Sequence, residues 1–420
     1  MKQFFLFCTL TLFAASVFAA DWKQWRGPRH DGVCTEAGLF EKWDGGSPKL
    51  LWKVNTLGGG YSNFSFAENK MFSLGDREDG CYLFALNPAD GKEIWKLKVG
   101  KTGGSRGNNF AGPRSTPVTD GEHVFVLGQF GDLVCAEITT GKELWHINVI
   151  EKFDARIMLN EAGIHWDYAI SPIIDGNRVL LPIGGKDGTV IAFERTGKEF
   201  KLLWQSKEIT DRASYASVVP VTTGGVHQYL VFTEKRLAGL DAETGKALWI
   251  ADRPGLIAIC SDPAFYVDGE TLYVIVSSFY GGGTQLYKVS SADSQFSVEQ
   301  IFNDPKIQNH HGGIVQVGGY FYLTSNRELL CLDPKTGKTL WKNRCVGKGS
   351  ILGLNGKLIV RGESGEGEIA LVEASSEEYK EISRFEQPER SDKNSWTYPA
   401  VYEGKMYIRD QGLLLCYEVK

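Results

Sequence analysis

A short phrase recurs along the chain: Gly91-Lys-Glu-Ile-Trp95, Gly141-Lys-Glu-Leu-Trp145, Gly245-Lys-Ala-Leu-Trp249 and Gly337-Lys-Thr-Leu-Trp341, with a stretched copy from Gly197 to Trp204. A unit repeated at this scale cannot bury its apolar face alone and has to pack against further copies of itself. Each copy follows an apolar run that ends on an acidic or Asn position, such as Asn87 or Asp333. The Asp side chain can accept from N–H groups further along the turn, and Gly takes a positive φ without steric cost. The phrase therefore reads as a hairpin loop followed by a return strand, with its Trp laid over a neighbouring sheet as a packing residue.

The phrase also counts the units. Trp52 reads as a return strand with no hairpin before it, and Phe302 and Phe385 stand where eroded copies end. Closing positions at 52, 95, 145, 204, 249, 302, 341 and 385 are separated by 39 to 59 residues. That spacing suits four short strands, the blade of a β-propeller. The chain ends with three strand-like runs at 399–402, 405–408 and 413–417 and no fourth. The orphan strand around Trp52 completes that blade and closes the ring, which removes an open sheet edge. The expectation is an all-β, eight-bladed propeller over residues 48–420. Seven blades is the alternative if one eroded copy is not a blade.

The composition agrees with this reading. Forty-nine glycines and many β-branched and aromatic residues favour strands over long helices. Residues 1–19 read as a cleavable signal peptide: Lys2, an apolar stretch from Phe4 to Phe18, and Val17-Phe18-Ala19 before a cut ahead of Ala20. Residues 20–47 form an extension with three placements open: in the channel, across a blade, or on another surface. Removing Lys2 takes the formal net charge from −5 to −6, and no basic stripe is present, which argues against nucleic acid as a partner. The mature chain is expected in the periplasm or outside the cell, without a transmembrane segment. Its seven cysteines leave at least one unpaired. Cys135, Cys331 and Cys416 share one slot of the repeat, held elsewhere by Ala85 and Gly239, so they read as small buried positions too far apart to bridge.

The blade phrase, the ring closure and the opening Asp21-Trp-Lys-Gln-Trp25-Arg-Gly-Pro28, with Leu51-Trp52 and Gly59-Gly-Tyr61-Ser62, resemble exported bacterial propellers of the pyrroloquinoline-quinone (PQQ) repeat type. The resemblance covers about residues 21–420. It implies the fold of the quinoprotein alcohol dehydrogenase-like superfamily, which includes dehydrogenases and also a non-catalytic lipoprotein of outer-membrane barrel assembly. The dehydrogenases use PQQ with calcium, a ring of two adjacent disulfide-linked cysteines, and a base in an Asp-x-Asp pair. This sequence has neither adjacent cysteines nor an Asp-x-Asp. The resemblance thus implies a binding propeller rather than an enzyme, with a divergent PQQ- and calcium-dependent dehydrogenase of alcohols or sugars as the alternative.

Function then falls to the dissimilar loops that lead into each blade, which are rich in Arg, His, Tyr, Trp and Asn. Converging polar and aromatic groups in a concavity suit a ligand. The candidates are Tyr61, Arg106, Arg114, Trp166, Tyr168, Tyr215, Asp262, His311, Lys348 and Trp396. Arg106, Arg114 and Lys348 could hold an anion, and the Trp and Tyr rings could stack on a sugar or planar ring. His310-His311 could ligate one metal ion only from a loop, since neighbours on a strand face opposite ways; no metal site is assigned. The expected partner is an envelope protein or a small-molecule or carbohydrate ligand at one face of the channel.

Overall fold

The apolar runs between turn signals form eight four-stranded antiparallel sheets, each built from consecutive strands except the last. The structure is a computed structural model and describes residues 22–43, 46–105, 110–253, 258–292 and 295–420. Blades one to seven span residues 65–100, 118–148, 173–205, 219–252, 264–304, 314–343 and 349–386. Blade eight joins Ala400–Tyr402, Lys405–Asp410 and Leu413–Glu418 to the early strand Leu50–Asn55. Trp52 pairs with Cys416 across that seam, so the ring closes where the repeat count places it. Eight blades stand and the seven-bladed alternative falls. The one helix among the described residues is Val149–Phe153.

The repeat phrase has two structural jobs. Just before each return-strand Trp the ladder slips by one residue, as between Cys135↔Trp145 and Ala136↔Glu143. This bulge turns the indole out of its own sheet and towards the next blade. There its Nε1 donates to a main-chain carbonyl: Trp52 to Pro88 at 3.2 Å, Trp95 to Ile138 at 3.2 Å, Trp145 to Thr196 at 3.0 Å, Trp204 to Ala242 at 3.3 Å and Trp341 to Ser375 at 2.8 Å. The ring also lies over the glycine of the next copy. A Cβ on Gly141, whose φ is +72°, would stand 2.4 Å from Trp95 Cε3. The glycine therefore serves both its own turn and the neighbour's ring.

Two departures have local reasons. Trp249 faces blade five, which lacks the Gly-Lys hairpin, and its Nε1 donates instead to Gln228 in its own blade at 2.7 Å. Phe385 does not hold the closing position of blade seven. There the ladder slips between Leu371↔Ser383 and Val372↔Glu381, so Ser383 takes the place of the Trp. Ser383 Oγ accepts from the N–H of Trp43 at 3.1 Å, and Trp43 packs edge-on against Phe385 at 5.0 Å. A tryptophan of the N-terminal extension thus covers the blade that lost its own. All seven described cysteines are free, and Cys135, Cys331 and Cys416 lie buried opposite Trp145, Trp341 and Trp52.

The extension divides. Its later part lies over blades seven and eight, where Phe40 N donates to the Val419 carbonyl at 2.8 Å. Its first part, about residues 22–33, crosses the channel. Its main chain and Gln24 reach inner strands on opposite sides of the ring. The carbonyl of Trp22 accepts from Phe66 N at 2.7 Å, that of Lys23 from Thr119 N at 2.9 Å, and Gln24 Oε1 from Ile174 N at 3.0 Å. Further on, Arg26 donates to the Ile314 carbonyl, and Val33 forms a parallel bridge with Gly353. These contacts satisfy inner-strand groups that a hollow channel would leave to water.

Candidate functional site

Each blade's leading loop reaches the same end of the channel, and together the loops enclose a concavity of about 210 Å³. Its wall takes one predicted residue from every blade: Tyr61, Arg114, Trp166, Tyr215, Asp262, His311, Lys348 and Trp396. Trp25, from the channel segment, also lines it. Arg106 lies outside the described residues. Tyr168 has to be corrected. Asp167 between it and Trp166 has a φ of +62°, which reverses the alternation of a strand. Tyr168 is consequently only 1% exposed, in the core between blades two and three, and donates to the Ile183 carbonyl at 2.9 Å.

Sequence reasoning missed Trp25, Phe110, Tyr280 and Glu363 on this wall. Trp25 belongs to no repeat, and Glu363 follows a blade strand rather than preceding one. Tyr280 carried a weak signal in Phe279-Tyr280-Gly-Gly-Gly, a turn beside an aromatic pair. It is 52% exposed and holds a φ of +53°, a conformation uncommon for a bulky residue.

Of the charges on the wall, Lys348 and Glu363 pair with one another and Asp262 is held by neutral donors. Glu363 accepts from Lys348 Nζ at 2.8 Å and from Trp396 Nε1 at 2.9 Å, one oxygen each. Asp262 accepts from Trp25 Nε1 and from the Ser217 N–H, both at 2.6 Å, and burial pushes its pKa above the usual carboxylate range. Arg114 differs: its guanidinium donates to the carbonyls of Gly112 at 3.0 Å, Trp166 at 3.2 Å and Phe110, all neutral acceptors. It lies 5.2 Å from the ring centre of Tyr61 and 5.8 Å from that of Trp396. Burial, reinforced by His311 and Lys348, drives the His310 pKa down to about 2. Burial and Lys348 keep His311 well below its ordinary value, so both rings are neutral at pH 7. Cys260 is pushed up to about 12 by burial, which removes it as a thiolate nucleophile.

This donor set does not fit a calcium-held quinone. Hard cations need several free oxygen ligands, and the two wall carboxylates are already committed to nitrogen donors. His310 and His311 do sit together in a loop, with ring centres 5.4 Å apart. Among the described residues, however, no three His, Cys, Asp or Glu side chains converge as a metal site.

The channel segment carries a pH handle. His30 is 3% exposed, and burial lowers its pKa to about 4 despite the opposing pull of Asp175. Between about pH 6.5 and 4 the unfolded chain takes a proton there that the folded chain refuses. Stability should therefore fall with acidification across that window, by up to about 1.4 kcal/mol per pH unit from this one group. Melting temperatures measured from pH 7 to 4 should fall less steeply in His30→Leu than in the wild type.

Fold and site together define the class: an eight-bladed PQQ-repeat propeller with a plugged channel and an aromatic funnel at one face. The sequence profile of the outer membrane protein assembly factor BamB family matches residues 78–343, and the chain belongs to that family. BamB of Salmonella typhimurium is 24% identical over 270 residues, which are 54% of this chain and 66% of that protein. The solved BamB of Moraxella catarrhalis superposes with a TM-score of 0.55 at 15% identity, covering 86% of this chain and 94% of that one. Quinohemoprotein alcohol dehydrogenase from Comamonas testosteroni superposes with a TM-score of 0.67 at 11% identity, covering 95% and 80%. Similarity at these identities speaks to fold. No helix among the described residues is long and apolar enough to cross a membrane.

Proposed function

We propose that the protein is an exported, non-catalytic propeller of the cell envelope that holds a protein partner at the rim of its funnel. One observation carries this reading: eight loops converge on a mouth whose two carboxylates, among the described residues, are held by a lysine, by indole N–H groups and by a backbone N–H, so that neither is free to act as a base or nucleophile. The family's description as an outer membrane assembly factor supports a protein as the partner. Tyr280, exposed and conformationally unusual at the mouth, is the natural first contact. A photo-crosslinking amino acid at position 280, introduced in the native host, should capture one discrete envelope protein. Tyr280→Ala should weaken co-purification of that protein several-fold, as expected for loss of one aromatic anchor. Capture that persists unchanged after every rim loop is altered would count against the reading. Oxidation of an alcohol by the purified protein on addition of PQQ and calcium would overturn it.

A further inference from the structure

Three kinds of group on the funnel wall keep capacity for a ligand. Arg114 gives its hydrogen bonds to neutral carbonyls, so among the described residues no hydrogen-bonded carboxylate offsets its charge. His310 Nδ1 and both ring nitrogens of His311 are buried without a hydrogen-bond partner. Trp25, Trp166 and Trp396 contribute indoles to the same wall. Each has a chemical complement. A half-buried cation in an aromatic surround suits a carboxylate. A neutral imidazole has one donor and one acceptor nitrogen, which is the pattern a hydroxyl group answers. An indole face suits the C–H face of a sugar ring.

We infer that the funnel binds an acidic monosaccharide of the hexuronate class. Its carboxylate lies on Arg114, its hydroxyls on His310 and His311, and its ring against the indole wall. A neutral sugar leaves Arg114 unanswered. A planar aromatic polycarboxylate brings several anions to a wall where Lys348 is already paired with Glu363, and no hydroxyls for the imidazoles. The site does not depend on the rim partner, since its groups lie inside the mouth and can be probed with the protein alone.

The purified protein is titrated with galacturonate and glucuronate by calorimetry and tryptophan fluorescence. Galactose, glucose and quinoline-2,4-dicarboxylate are run beside them. The uronates should bind, and the neutral sugars should bind at least about tenfold more weakly, the size of one charge-assisted hydrogen bond. Arg114→Gln should lose a similar factor. Because Arg114 also holds loop carbonyls, His311→Phe provides the second readout. It keeps a ring, removes the unpaired nitrogens, and should weaken uronate binding several-fold without lowering the melting temperature. Absence of uronate binding at millimolar concentration would overturn the inference. So would equal affinity for galactose and galacturonate, tighter binding of the dicarboxylate, or unchanged uronate affinity in His311→Phe.

Discussion

Arg409→Ala is expected to destabilise the protein by about 3–5 kcal/mol, the cost of stripping a buried charged group from its acceptors. Arg409 is fully buried in blade eight, yet it reaches across the interface with blade one. It donates to the Ser62 carbonyl at 2.9 Å, to Ser73 Oγ at 2.9 Å and to the Leu74 carbonyl at 2.6 Å, and within its own blade to the Gln411 carbonyl at 2.8 Å. Arg361 continues the stitch from blade seven, donating to the carbonyls of Arg409 at 2.8 Å and Thr397 at 2.9 Å. Burial lowers the Arg409 pKa to about 9, which still leaves the side chain charged at pH 7. Arg409→Lys should recover only part of the loss, because an ammonium cannot span the fork of acceptors that a guanidinium does. Urea unfolding of the three proteins side by side checks both statements. A cost below 1 kcal/mol for the Ala variant would mean that water replaces the lost donors.

Gly141→Ala should cost about 2–4 kcal/mol, combining a strained positive φ with overpacking against a fixed ring. The new methyl would meet Trp95 Cε3 at 2.4 Å, and Trp95 is held in place by its bond to the Ile138 carbonyl. Gly225→Ala is the control. Its φ is also +72°, but nothing lies within 4 Å, so it should carry the backbone cost of about 1 kcal/mol alone. The difference between the two variants isolates the blade-to-blade contact. Equal costs would show that the Trp95 ring shifts freely and that the repeat's glycine serves only its own turn.

The repeat was legible because one physical requirement recurs in each copy: a tight turn whose glycine lies under the neighbour's indole. Blade count, closing strand and the small Cys135 slot all follow from it. Phe385 misled because an aromatic at roughly the right spacing looks like an eroded Trp, while the bulge that defines the position is a property of strand pairing and places Ser383 there. The site was legible as loops and not as side chains. Trp166 and Tyr168 are two residues apart, yet the positive φ of Asp167 sends one into the funnel and the other into the core.

By itself, then, the sequence determined the architecture, since local turn chemistry and period repeat in every blade and need no knowledge of distant residues. Only the tertiary structure decided what the funnel contains. Trp25 meets Asp262 across 237 positions of chain, a pairing with no local signature, whereas Lys348 meets Glu363 as its cross-strand neighbour within blade seven. The ring brings eight dissimilar loops to one mouth, and the wall that gathers Arg114, three indoles and the unpaired imidazole nitrogens of His310 and His311 exists only once the ring is closed.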